Sequence, residues 1–206
     1  RATDPLDWWS RHLLGEALTC DLQICLDIAH DYARAGLFIH AIALLGKRLS
    51  AYQKQQAAVS SAAASGTPTN ATLPDQSWGA APMVQYTLGW LHQKLDDAKV
   101  ALKHYRAAAA LPPDYCFPSR LEEIAILEAA MSANPSDARA PYYLGNLLYD
   151  RRRHEEAIQL WDRSARLDAG FPTVWRNLGI GYFNNRRRPG KARAAYDKSF
   201  RLNPAD

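Results

Sequence analysis

The feature that most limits how this chain can fold is a leucine–glycine pair recurring in one register. The stretches "YTLGWLH", "YYLGNLL" and "RNLGIGY" put Gly89, Gly145 and Gly179 at matching places, the last two 34 residues apart. Twelve residues after Gly145 comes Ala157, and four later Trp161. Gly89 is followed in the same way by Ala101 and Tyr105, and Gly179, after one extra residue, by Ala192 and Tyr196. Pro113 and Pro204 each fall twelve residues past that alanine. A glycine inside a helix costs up to about 1 kcal/mol against alanine, so three at one register need a reason. Close packing of helix pairs supplies it: the missing side chain on the first helix admits an aromatic ring from the second.

The rest of the chain also reads as helix. "DLQICLDIAHDYARAGLF" places Leu22, Cys25, Ile28, Ala29 and Tyr32 on one stripe, and Ile42, Leu45 and Leu49 continue the pattern after a turn at Ala35-Gly36. No sustained alternation predicts a strand. The clearest break lies in residues 53–82, rich in Ala, Ser, Thr, Gly and Pro, and predicts a flexible insertion over 54–81. With 206 residues, 48% of them hydrophobic, the chain can bury the core of a single domain, 1–206. No apolar run approaches a membrane span. The opening "RATDPLD" has neither an initiator Met nor an apolar signal core and reads as a piece cut from a longer protein. Three cysteines, with Cys20 and Cys25 five apart, suggest no disulfide framework and predict a reduced, cytoplasmic protein.

The glycine register, with its aromatic and proline echoes, resembles the tetratricopeptide repeat (TPR) family, whose pattern W-x2-L-G-x2-Y, A-x3-F, P is met by Trp175, Leu178, Gly179, Tyr182, Ala192, Tyr196 and Pro204. The best repeats are 82–115, 138–171 and 172–206. Pro141 and Gln85 replace the tryptophan, and Ala169 the closing proline. Residues 116–136 hold one clear helix, and 22–53 a degenerate pair. The resemblance implies an all-α fold, an α-α superhelix of antiparallel helix pairs. "FPTVWRNLGIGYFN" and "ARAPYYLGNLLYD" also look like the TPR tail of a large multidomain protein with an uncharacterised, carbohydrate-enzyme-like N-terminal region.

Charge is uneven. Residues 138–206 hold 14 Lys+Arg against 7 Asp+Glu, with triple-arginine runs at Arg151–Arg153 and Arg186–Arg188. Both runs fall in the turn between the two helices of a repeat, where cations offset the negative end of the first helix. Solvated corners are expected there, and a nucleic-acid edge is the lesser reading. Other candidate chemistry weakens on inspection. The adjacent pairs Glu155-Glu156 and Glu122-Glu123 point about 100° apart on a helix and suit its start. No two of the six histidines stand three or four apart, so no helical metal site is expected. Gly179-Ile180-Gly181 follows no strand, and Cys116 in "PPDYCFPS" reads as a small buried residue near a bend rather than a nucleophile. Neither catalysis nor a cofactor is expected.

Binding is the remaining function. The first helices of stacked pairs line a concave groove. The family resemblance implies groove-facing positions that include Tyr142, Asn146 and Tyr149 in one repeat and Arg176, Asn177 and Phe183 in the next. Amide donors, a fixed cation and aromatic faces suit an extended peptide or an acidic side chain, with Asn146 and Asn177 bonding its backbone. The expected partner is a protein, a peptide or an adjoining domain of the parent chain, with no membrane. A structural appendage of a carbohydrate-active enzyme is the alternative. The face of Trp175, Tyr182, Tyr196 and Phe200 after the last repeat predicts self-association through the C-terminal end.

Overall fold

The computed structural model describes residues 7–16, 18, 20–64 and 79–204. Among them are ten helices and no strand: α1 (Trp8–Leu13), α2 (Leu22–Arg34), α3 (Phe38–Ala64), α4 (Ala80–Lys94), α5 (Ala98–Ala110), α6 (Glu122–Ala133), α7 (Arg139–Asp150), α8 (His154–Leu167), α9 (Pro172–Asn184) and α10 (Pro189–Leu202). They pair as α2/α3, α4/α5, α7/α8 and α9/α10. The second helix of one pair rests on the first of the next, α3 on α4 and α8 on α9. This is the α-α superhelix that the family resemblance implies. Part of the stretch expected as an insertion over 54–81 belongs to helices. Residues 54–64 continue α3, since alanine and glutamine there favour helix, and Ala80 and Ala81 open α4 as buried residues. Residues 65–78 lie outside the described residues.

The recurring glycines do what their spacing implies. A Cβ built on Gly89 would lie 2.6 Å from the Tyr105 ring, one on Gly145 2.5 Å from the Trp161 indole, and one on Gly179 2.6 Å from the Tyr196 ring. Each ring sits where its helix can approach only a bare backbone. Corners repeat as faithfully. Gly36, Asp96 and Arg152 carry left-handed φ of 75°, 60° and 62°. Each donates its N–H to the carbonyl three residues back, and the next residue donates to the carbonyl five back: Leu37 to Tyr32, Asp97 to His92, Arg153 to Leu148. These are Schellman caps on the first helix of each pair. The last corner, with its extra residue, moves the left-handed position to Arg187 at φ 51°.

One stretch breaks the repeat. Between α5 and α7, α6 packs chiefly on α4 and α7, in the relation α8 has to α9. It therefore takes the place of a second helix, and residues 111–121, "LPPDYCFPSRL", stand without helix where its first would be. This segment is fixed nonetheless. Cys116 and Pro118 are buried, and Glu123, 1% exposed, accepts from the Ser119 and Arg120 amides at 2.7 and 2.8 Å. Its backbone so nearly touches the head of α4 that a Cβ on Gly79 would fall 1.9 Å from the Tyr115 carbonyl oxygen.

Candidate functional site: a cavity on the first-helix face

The first helices α4, α7 and α9 share one layer, joined by aromatic side chains. Tyr86 of α4 donates its hydroxyl to Asp137 Oδ2 at 2.8 Å and meets the Tyr143 ring at 6.0 Å, edge to face. Asp137 in turn accepts from the amides of Arg139 and Ala140, which caps α7. Tyr142 meets Phe171, at the head of α9, at 4.7 Å.

Where these heads converge with the loop at 111–121 there is a cavity of about 650 Å³. Tyr142, Phe171 and Arg139 line it from below, Thr173 and Arg176 from α9, and Pro113, Asp114, Tyr115 and Phe117 from the loop. Tyr115 and Phe117 are 63% and 72% exposed. Three loop prolines, Pro112, Pro113 and Pro118, and a left-handed Tyr115, φ 58°, restrict the backbone of the aromatic wall. The charges are unequal: two guanidiniums face one carboxylate, Asp114. Arg139 lies flat over the Phe171 ring at 3.7 Å, with Asp168 at 3.4 Å, so its charge is held at the floor. Arg176 stands exposed at the rim. Burial raises the Tyr142 phenol above its ordinary range, partly offset by its hydrogen bond to Asn146 and by the Arg176 charge. It stays neutral and adds no negative charge to the cavity.

The sequence-derived residues divide into two sets. Tyr142 and Arg176 line the cavity. Asn146 and Asn177 are nearby, but their amides serve the protein itself: Asn146 Oδ1 accepts from Trp161 Nε1 at 3.0 Å and from Asn177 Nδ2 at 2.8 Å. Both lone pairs of that oxygen are taken, so it anchors the tryptophan of the glycine packing and ties α7 to α9. Tyr149 is also engaged, donating to Asn185 Oδ1 at 3.0 Å and lying against Trp161 at 5.1 Å. Phe183 is 59% exposed two turns along α9 from Arg176, on the same face. Sequence reading missed Phe171 and the loop wall as partners of this site. The only signal for the loop was an aromatic pair set among prolines.

Cys116, expected to be buried and inert, is 2% exposed, and burial pushes its thiol up to about 12. The arginine runs are less uniform than solvated corners. Arg153 binds Glu156 through two hydrogen bonds, Arg151 donates to the Ser119 carbonyl, and Arg186 reaches Glu155 of the preceding pair at 2.8 Å. Among the described residues, the side chains of Arg152 and Arg187 have no hydrogen-bonding or ionic partner. Near the end of the chain Phe200 is 64% exposed and Tyr196 38%, and Lys198 covers the Trp175 ring at 3.8 Å. Among the described residues no helix is long and apolar enough to cross a membrane.

No protein-family model matches the sequence. Among solved structures the chain is similar to MamA, at 16% identity over 99% of this chain and 97% of that one, TM-score 0.41. It is also similar to residues 41-end of MamA from Desulfovibrio magneticus RS-1, at 18% identity over 92% and 99%, TM-score 0.38. A third likeness is to YrrB, described as a TPR protein with an unusual peptide-binding site, at 17% identity over 88% and 86%, TM-score 0.38. Identities of this size bear on the fold alone, and with TM-scores this low the functional reading rests on the geometry of this chain.

Proposed function

We propose that this chain is a non-catalytic interaction module whose first-helix groove holds an extended peptide, from another protein or from an adjoining domain, carrying an acidic side chain beside an apolar one. The observation that carries this reading is the cavity of about 650 Å³ with two arginines and four aromatic rings at the heads of α7 and α9. An apolar side chain enters between Tyr142, Phe171, Tyr115 and Phe117, and its acidic neighbour meets Arg176 at the rim, where a guanidinium can grip a carboxylate with two hydrogen bonds. Three buried free thiols suit a reducing, cytoplasmic setting. The exposed Phe200 and Tyr196 favour a further contact with a second copy through the α9/α10 face, which light scattering over a concentration series would reveal.

The test is fluorescence anisotropy with labelled peptides identical but for Glu, Gln or Lys beside a central Leu. The Glu peptide should bind at least about tenfold tighter than the Lys peptide, and Arg176→Ala should remove most of that difference with helical content unchanged, the loss of one charge-assisted pair. Equal binding of all three peptides, or an indifferent Arg176→Ala, would sink the reading.

A further inference from the structure

A second cavity lies far from the groove, and the groove makes no use of it. The short helix α1 leans on α2 and α3, pinned by Trp9, whose indole donates to Asp31 Oδ2 at 2.7 Å and meets the Tyr32 ring at 4.9 Å. Tyr32 is then sandwiched, with His12 edge-on at 5.6 Å and His40 stacked at 5.6 Å. Beyond this trio the elements part and enclose about 410 Å³, within the roughly 300–1,000 Å³ that small-molecule sites occupy. Leu18, Leu44, Ala43 and Ala51 give it apolar walls.

The polar groups at this cavity are nearly all cationic or proton donors. His12, His40, Lys47 and Arg48 line it against one carboxylate, Glu16, which already accepts from Arg11 Nε at 2.8 Å. Arg48 donates to the Cys20 carbonyl at 2.5 Å. Among the described residues, neither the His12 and His40 ring nitrogens nor the Lys47 ammonium has a hydrogen-bonding or ionic partner. Burial first, then the charges of His40 and Lys47, hold the His12 imidazole below its ordinary range.

We infer that the α1–α2–α3 cavity is a binding site for a small amphipathic anion, an apolar chain bearing a carboxylate, with the chain against Leu18, Leu44 and Tyr32 and the carboxylate between Lys47, His12 and His40. Lys47 and the two imidazoles supply donors from two elements, α1 and α3, so the anion closes α1 onto the helix pair. Apolar area and charge then act together, which makes the head group matter: an alcohol of the same chain keeps the first contribution and loses the second.

The probe is decanoate, compared with decanol and decyltrimethylammonium, added to the full chain and followed by calorimetry and by the histidine ring resonances in NMR spectra. Decanoate should bind at least tenfold tighter than decanol and shift the His12 and His40 resonances, and the ammonium should not compete. Lys47→Met should weaken decanoate about tenfold. Ala43→Phe, placed at the exposed edge of the cavity, should exclude it while the helical spectrum is kept. Decanol binding as tightly as decanoate, no binding of either, decanoate shifts confined to other histidines, or wild-type affinity in both variants would each overturn the assignment; an own-chain segment filling the cavity would appear as no binding.

Discussion

The pairs α7/α8 and α9/α10 and the stretch from 111 to 133 occupy equivalent places in one stack and are held by different means. In the regular pairs, packing is local and repetitive: Gly145 admits Trp161, Gly179 admits Tyr196, and a cap of fixed geometry turns each corner. In the irregular stretch a helix is missing, and its place is taken by a loop held by its own buried Cys116, by the nearby Glu123 and, from far along the chain, by Gly79. The regular pairs expose few unpaired functional groups, because Asn146, Tyr149 and Asn177 are consumed in joining one pair to the next. The irregular stretch exposes Tyr115 and Phe117 beside two arginines. A solenoid is stabilised by its repetition, and here its candidate site lies where the repetition lapses.

The hardest blow to the regular part is Gly145→Val. Its first added carbon alone would lie 2.5 Å from the Trp161 ring, on a ring already fixed by Asn146, so neither side can yield cheaply. A loss of about 3 kcal/mol is expected, overpacking outweighing the gain in helix propensity. Urea unfolding followed by circular dichroism measures it. A change below about 1 kcal/mol would mean that the register is ornamental and that the two regions differ less than their geometry implies.

A buried histidine beside the irregular stretch, His30, carries a weakness of a different kind, since the charges of Arg120 and Glu122 act on it. This residue of α2 is 1% exposed, and neither ring nitrogen has a hydrogen-bond partner. Burial, then the Arg120 charge, lowers its pKa to about 4, with Glu122, Asp27 and Asp31 opposing. In the unfolded chain an imidazole titrates near 6.5. Above that pH neither state is protonated and the residue adds no pH dependence to stability. Below it the unfolded chain takes up a proton that the folded chain refuses, so stability falls as the pH drops from 6.5 to 4, by about 3 kcal/mol at the lower end. His30→Leu should abolish this slope. The comparison must be made against wild type at each pH, because Asp137 and Glu123, their pKa values raised mainly by burial, push the other way. Parallel stability curves for the two proteins would show that His30 finds a partner in solution.

Gly79→Ala tests whether the loop is a wall or a bystander. The added methyl meets the Tyr115 carbonyl at 1.9 Å, at a φ of 84° that disfavours any side chain. About 1–2 kcal/mol should be lost, and binding of the Glu-containing peptide should fall with it, although no groove residue has changed. Stability lost with peptide binding intact would detach the loop from the site.

What could be read from sequence follows the same division. The pairing of Gly145 with Trp161 was legible because both partners lie within one repeat and recur three times in one register. That Tyr142 and Asn146 share a face was legible from helical spacing, and that this face and Arg176 look into the groove was what the family resemblance implied. That Asn146 is spent on Trp161 and Asn177 was not, since a face says nothing of what meets it. The loop wall was hidden for a stronger reason: Tyr115, Arg139 and Arg176 are brought together by the stacking of separate pairs, and no local pattern encodes that distance.

The smallest effect separates arginines that look alike. Arg186 joins its corner to Glu155 of the pair before, whereas Arg152 occupies the left-handed position of a Schellman cap, which glycine fills at the equivalent Gly36. A side chain held there costs about 1 kcal/mol. Its charge is exposed and has no partner among the described residues, so it offsets little of that cost. Arg152→Gly should therefore stabilise the chain by about 0.5–1 kcal/mol, less than the full relief because the unfolded state also gains freedom. Arg186→Ser should cost about 0.5 kcal/mol, the order of a partly exposed inter-helix pair. Thermal unfolding of both variants at low and high salt decides between a structural and a polyanion-binding role. Opposite signs, with the Arg186 effect shrinking in salt, fit corners shaped by helix geometry. If the two variants leave stability alike but each weakens binding to an arbitrary DNA duplex with a steep salt dependence, the arginine edge is a nucleic-acid surface after all.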